Sequence, residues 1–348
     1  MLALVLAPQA GAAAPACADR LGTARSYSEF VEHDAVRGSG SGGAVAVGGD
    51  ADFTDGFSVG GRVPKNAPVP GGDTLVVGGV LHNGAAGSDA FTVLERGTAV
   101  YGELRGRTPV LRSGDTTEGA VPIDFAAQFA QLRALAAELA DLPAHGETTS
   151  TTEDGTVVTI FAGTYADLNV FPVSAERLAA AERIVLDIPE GATALVNVSG
   201  DAYDMSSAGT SRISGPEGLA GRLLWNFPEA ELVVKQQGTT WPGTVLAPAA
   251  EVRLGIGGSV DGTVIARTLS GSEVETRHEA FTGCLTVTDT TRAPQHEPNG
   301  ATGSGDLAET GPGQLRALLS GATGALLAGA GLYTAAFFRS RGRRPSGG

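Results

Sequence analysis

The chain has 348 residues, 18% of them charged, and a formal charge of −14. That balance argues against nucleic acid as a partner, because phosphate binding needs clustered cations, and against anionic lipid head groups for the same reason. Two cysteines and five scattered histidines exclude a disulfide-dense scaffold and provide no set with metal-ligand spacing, so no cofactor is expected.

Residues 1–16 have the character of a signal peptide that lacks its basic leading segment. Leu2 to Ala7 is apolar, and Ala14-Pro15-Ala16 has the small-x-small form of a peptidase site just before Cys17. Cys17 is then either lipidated or half of a disulfide with Cys284, and the disulfide is the simpler reading. Such a bond persists outside the cell, and closing so long a loop is worth about 4–5 kcal/mol in the chain-entropy model.

Residues 17–285 form the folded region. From Gly42 to Leu104 short alternating apolar runs end in glycine: Ala44-Val45-Ala46-Val47-Gly48-Gly49-Asp50, Phe57-Ser58-Val59-Gly60-Gly61, Leu75-Val76-Val77-Gly78-Gly79 and Ala99-Val100-Tyr101-Gly102. Recurrence of the same small residues favours a β-solenoid, in which like corners stack, over a β-sandwich; the glycines are expected at corners that need φ > 0. The pattern then changes. Phe125, Phe129, Leu132, Leu135, Leu139 and Leu142 recur every three or four residues, which predicts one long amphipathic helix with Asp124 as N-cap and Pro143 as its stop. Its apolar stripe must be buried, and the side of the solenoid is the natural place.

Strands resume at Val157–Phe161, Asn169–Val173, Ile184–Ile188 and Ala194–Val198, with a short helix over Ala175–Ala181. Leu223–Phe227, Glu231–Val234, Gly243–Pro248, Glu251–Leu254 and Gly262–Arg267 follow, and Gly-Thr-Val-(Leu/Ile)-Ala occurs twice, as expected of equivalent strands one turn apart. Ala46-Val47-Gly48-Gly49-Asp50, Leu195-Val196-Asn197-Val198-Ser199-Gly200, Leu224-Trp225-Asn226-Phe227-Pro228, Gly243-Thr244-Val245-Leu246-Ala247-Pro248 and the His278-Glu279…Phe281…Gly283-Cys284 segment resemble the choice-of-anchor A family of bacterial surface domains. The ladder also resembles ice-binding-like β-solenoids. These resemblances imply a mainly β fold, a β-helix with one long α-helix packed along it, displayed at a cell surface; they imply no catalytic residues.

Beyond the domain, 286–306 has the Thr, Pro, Gly, Asn and Ser content of a disordered wall-spanning linker. Leu307-Ala308-Glu309-Thr310-Gly311 resembles the L-P-x-T-G sorting pentapeptide, in which a sortase cysteine attacks the threonine carbonyl and passes the acyl group to a cell-wall amine. A transmembrane helix is expected over 315–338, uncharged from Ala317 to Phe338, and these 22 residues are long enough to cross a bilayer core. The basic tail 339–348, with Arg339, Arg341, Arg343 and Arg344, is retained on the cytoplasmic side. Cleavage after Thr310 removes five arginines and no acids, taking −14 to −19. Two lysines, Lys65 and Lys235, are too few to suggest pilus-type polymerisation through isopeptide bonds.

Candidate chemistry is sparse. Asp50, Asp52 and Asp55 share one loop and could hold Ca²⁺, although the terminal Glu of an EF-hand is missing. Gly38-Ser39-Gly40-Ser41-Gly42 has the letters of a nucleophile elbow in what reads as a loop, and Thr148-Thr149-Ser150-Thr151-Thr152 also reads as a loop rather than an ice-binding face. The expected function is therefore a non-enzymatic surface protein acting in adhesion or surface architecture. It would partner sortase, peptidoglycan or its lipid precursor through Thr310, the membrane through 315–338 before processing, and an extracellular ligand. The alternative is a carbohydrate-active enzyme or glycan-binding module on the same scaffold. Mass analysis of the secreted protein with and without reductant tests the cystine, since free thiols in the native form contradict it.

Overall fold

The computed structural model describes residues 19–62, 73–84, 92–112 and 114–286. Cys17 and the rest of 1–18, His296 and the 287–348 region, which holds the sorting pentapeptide and the 315–338 segment, lie outside the described residues.

The short β-branched runs stack in parallel, one coil above the next, and each coil contributes up to three strand segments. The first ladder runs Leu168–Ser174, Thr193–Ser199, Leu223–Asn226, Thr244–Ile256, Val264–Arg277, Tyr27–Val31, Ala44–Val47, Asp73–Asn83, Thr98–Gly106 and Thr116–Glu118, each parallel to the next. The Gly-Thr-Val repeat does occupy neighbouring coils, with Val245 opposite Val264 and Leu246 opposite Ile265. Spatial order departs from chain order at one place: the first strand, Tyr27–Val31, lies beside the last, Val264–Arg277. The chain thus starts in the middle of the stack, builds coils to one end, crosses to the other end and builds back.

Helix α1, Phe125–Ala140, makes that crossing. Asp124 caps it, accepting from the Ala127 N–H at 3.0 Å, and Pro143 follows its end. At 16 residues it is about 24 Å long, or about five rungs of a ladder. Its buried face, Phe125, Phe129, Leu132, Leu135, Ala136 and Leu139, covers the outward side chains of the first ladder, among them Leu195, Leu224, Leu246, Ile265 and Phe30. Inward side chains of the same strands, such as Val31, Val45, Leu75, Val196 and Val245, fill the coil interior. Polar groups fasten the helix as well: Asn197 Nδ2 donates to the Leu139 carbonyl at 2.7 Å, and Asn226 Nδ2 donates to the Ala136 carbonyl at 2.8 Å and to Asn197 Oδ1 at 2.9 Å. Arg133 adds a bidentate pair with Glu32 at 2.8 and 3.0 Å.

Of the glycines in these runs Gly60 has the expected positive φ, 83°, whereas the Gly48-Gly49, Gly78-Gly79 and Gly102 corners have a different cause. Gly48, Gly49, Gly78, Gly79 and Gly102 do not have positive φ. They are glycine because stacked corners touch: a Cβ on Gly48 would lie 2.2 Å from the Glu32 carbonyl oxygen, and one on Gly78 would lie 2.2 Å from the Gly48 oxygen. The next corner does use left-handed backbone, at Ser39 (φ 73°), Gly56 (φ 91°) and Glu273 (φ 58°). The Gly38 to Gly42 stretch is therefore no loop; it falls largely within the strand Ala35–Ser41, where Ser39 turns the corner and Ser41 is buried, donating to the Gly43 carbonyl.

A second correction concerns the threonine run. Thr148 to Thr152 sits in the strand Glu147–Glu153, antiparallel to Thr156–Ala162, joined by Asp154 (φ 50°) and Gly155 (φ 84°) in the Asp-Gly geometry of a tight hairpin. With Arg183–Asp187 and Arg212–Ser214 these strands form a four-stranded sheet at one end of the stack. The short helix α2, Ala175–Ala179, packs nearby and is capped by Ser174, matching the expected position.

Where first and last strands meet, an ion pair within the first half, Glu29 on Tyr27–Val31 and Arg37 on Ala35–Ser41, is buried against the last strand. Glu29 and Arg37 have fully buried side chains 2.9 Å apart. Arg37 also donates to the Gly271 and Val274 carbonyls of the last strand, and Thr276 Oγ1 donates to Glu29 Oε1 at 2.7 Å. Elsewhere Lys235 is buried, with Nζ on the carbonyls of Gln236 (2.8 Å) and Gly257 (3.3 Å), and burial lowers its pKa to about 8.

Two predictions follow from these buried charges. Arg37→Met should cost about 3–5 kcal/mol in urea unfolding, because it strands the Glu29 charge, and adding Glu29→Leu should restore most of the loss. Unfolded Lys235 binds a proton up to about pH 10.5 while the folded group releases it near 8, so stability should rise by about 1–2 kcal/mol from pH 8 to 10. Lys235→Met should flatten that rise; an unchanged slope would contradict it.

Candidate functional site

Because the interior is closed by packing, chemistry toward a partner must come from the outward rows. In the second ladder Asp204, Val234, Arg253, Ser270, Val36, Asp52, His82 and Arg105 stand in register, one per coil. Their alternates Tyr203, Val233, Val252, Leu269, Ala35, Ala51 and Leu81 are core. The row is about 34 Å long at the usual strand spacing. Charge pairs flank it: Arg253 meets Glu251 at 2.7 Å and Arg105 meets Glu103 at 3.0 Å, with Val36 exposed between them. The hydrogen bond from Arg253 holds the Glu251 carboxyl below its usual range.

The third ladder carries a denser network. Thr240, Ser259, Glu275, Gly40 and Ser58 align in register. Glu275 is shared by Arg62 (3.2 Å) and Arg277 (3.0 Å), and Arg277 also reaches Asp261 at 3.4 Å. The second row carries charges of both signs and the third mainly small hydroxyl residues around Glu275, an open arrangement that suits contact with a large partner better than enclosure of a small one.

The sequence candidates are not brought together. Asp50 Oδ1 accepts from the Val80 N–H at 2.8 Å and Asp34 Oδ1 from the Asp50 N–H at 2.9 Å, so these carboxylates tie one corner to the next. Asp52 accepts from the Thr54 N–H and hydroxyl, and Asp55 is exposed. Among the described residues no group of three acidic, histidine or cysteine side chains is placed to hold a metal ion. His33, His82, His145 and His278 lie apart; His145 stacks on the exposed Tyr165 at 5.2 Å, and burial lowers the pKa of His278. Trp225 and Trp241 are core residues, with Trp225 Nε1 donating to the Pro242 carbonyl at 2.8 Å, so neither offers a platform for a sugar ring.

Cys284 is disulfide-bonded; the pairing with Cys17 reaches outside the described residues. A crevice of about 50 Å³ beside it is lined by residues that include Asp19, Arg20, Arg25, Phe281 and Leu285, room for a few waters. Among the described residues no helix is long and apolar enough to cross a membrane. Sequence reasoning missed the Glu29–Arg37 pair and the Asn197 and Asn226 fasteners. The asparagines had a signal, an amide inside otherwise apolar strand motifs; the ion pair had none, because its two residues sit among unremarkable polar neighbours.

Comparison with known proteins gives a family. The family model described as "Putative Ice-binding-like adhesive domain" matches residues 20–278. No curated protein matches the chain. Among solved structures, an ice-binding protein from an Antarctic biological consortium is similar at 12% identity, covering 79% of this chain and 96% of that one, with a TM-score of 0.32. A Shewanella frigidimarina ice-binding protein domain is similar at 14% identity (74% and 96% covered, TM-score 0.35), as is an ice-binding protein from an Arctic yeast at 14% (74% and 92%, TM-score 0.34). With a coil of parallel rungs, a helix laid along one side and a family match over 20–278, the chain belongs to the ice-binding-like adhesive domain family.

Proposed function

We propose that this protein is a cell-surface adhesive domain, attached covalently to the wall through Thr310 and presenting the outward rows of its coil to a macromolecular partner. The observation that carries the reading is the family match over 20–278 immediately upstream of a linker and a three-part sorting signal. The choice-of-anchor A resemblance of the domain motifs supports the same display. In this reading sortase acts on Leu307-Ala308-Glu309-Thr310-Gly311, the 315–338 segment holds the substrate at the membrane until cleavage, and the linker 286–306 spans the wall.

Within the family's range of adhesive and ice-binding roles, the surface favours adhesion. An ice-ordering face needs small hydroxyls repeated in register, and here the second-ladder row alternates acids, cations and aliphatic side chains. Charged groups keep their own hydration shells and interrupt an ordered water lattice. The Thr148 to Thr152 run is confined to one strand, and its neighbours in register include Phe161, Ile160 and Val158.

Thr310→Ala should move the protein from the wall fraction to the membrane fraction and lower attachment of cells under flow, while the soluble 17–285 domain competes with attachment of wild-type cells. Identical partitioning of variant and wild type would sink the anchoring; suppression of ice recrystallisation by the soluble domain, without competition for attachment, would overturn adhesion in favour of ice.

A further inference from the structure

The end of the domain does not leave the fold where its last strand stops. After Arg277 the chain turns and runs across the rungs. Thr282 donates through N–H and Oγ1 to the Gly221 carbonyl at 2.8 and 3.1 Å, and the Cys284 N–H donates to Thr193 Oγ1 at 3.0 Å. Gly221 precedes the strand Leu223–Asn226 and Thr193 opens Thr193–Ser199, so Cys284 sits three rungs from the last strand, about 14 Å along the stack. Phe281 and Leu285, each 4% exposed, are buried in the same cluster as Leu21, Ala24, Tyr27 and Phe30. Gly283 admits no side chain, since a Cβ there would lie 2.7 Å from both Phe281 and Thr193.

This path matters for where force enters. The last strand lies at the junction of the two half-stacks, paired with Thr244–Ile256 on one side and with Tyr27–Val31 and Ala35–Ser41 on the other. A strand pulled from its end, across the ladder, releases its hydrogen bonds one after another. Tension applied at Arg277 would therefore unzip the junction.

We propose that residues 279–286 are a tension latch. The latch delivers pull from the tail to the body of the stack beside Thr193, so that the junction strand is not peeled. Phe281 and Leu285 act as the two apolar anchors, Thr282 and Cys284 as the backbone ties, and the cystine at Cys284 supplies a second attachment when oxidised. The inference rests on the anchored reading, because only an anchored tail carries tension.

The test is constant-force pulling of the single domain in reductant, between a C-terminal tag and a handle at the exposed loop position Ala120. The Phe281→Ala/Leu285→Ala pair should shorten the lifetime under load about tenfold or more relative to wild type. Leu178→Ala, which opens a cavity under α2 beside the far end of Thr193–Ser199 from the latch, should leave it near the wild-type value at a comparable loss in urea. Equal shortening by both, or none by the strap pair, would overturn the latch. If the strap pair does not fold, Thr282→Val and Thr193→Val, which each remove one tie, should shift the lifetime in the same direction, and no shift overturns it. Because this is read on isolated protein, its failure is distinct from that of the anchoring, which the Thr310→Ala fractionation reads.

Discussion

The contact on which the rest of the structure depends is the parallel pairing of the first strand with the last. Two half-stacks, one built from residues before helix α1 and one from residues after it, become a single ladder only there. Their junction is closed by partners more than two hundred positions apart in sequence, as in the Thr263 Oγ1 to Tyr27 carbonyl bond at 2.9 Å. Glu29 and Arg37 lie at this junction without solvent contact. A buried ion pair adds little net stability, since desolvation offsets the attraction, but a slip of the last strand would take from the two buried charges the Gly271 and Val274 carbonyls and the Thr276 hydroxyl. Between strands of similar small and β-branched residues, that loss disfavours other alignments.

Helix α1 is the second constraint, and it answers to the first. Its apolar stripe alone would leave its position along a ladder of mostly aliphatic outward residues weakly defined, apart from the stacking of Phe30 on Phe125 and Phe129. The amides of Asn197 and Asn226, aimed at the Leu139 and Ala136 carbonyls, and the forked contact of Arg133 with Glu32 fix its position along the stack. The helix thereby connects both halves: Glu32 follows the first strand, while the asparagines belong to the second half. Stacked glycine corners hold the coils at constant spacing, because a single Cβ at Gly48 or Gly78 would enter the backbone of the coil beside it.

The distribution of side chains explains why function is confined to the exterior. Both tryptophans, and aromatic residues such as Phe57, Phe161, Phe171 and Phe227, are inside. Outside are short polar side chains and ion pairs set in rows by the strand period. Such a surface repeats one outward side chain per coil and ladder. The formal charge of the chain, −14, disfavours partners with anionic surfaces.

By itself the sequence determined the local elements. The glycine-punctuated aliphatic runs, the three-and-four spacing of Phe125 to Leu142 and the repeated Gly-Thr-Val motif each specify a strand, a helix or a pair of equivalent coils, because period and turn chemistry act over a few residues. Two local assignments failed for physical reasons. The Gly38 to Gly42 stretch looked like a loop because strand residues that pack backbone against backbone carry no apolar signal, and the Thr148 to Thr152 run looked like one because its pairing with Val157 to Phe161 is what makes it a strand. The tertiary structure alone decided the junction of first and last strands, the role of the corner glycines as close contacts, and the use of Asp50 to tie one corner to the next. Those outcomes depend on which coil lies beside which. That neighbour relation arises from the return path of α1, and no local pattern in the chain encodes it.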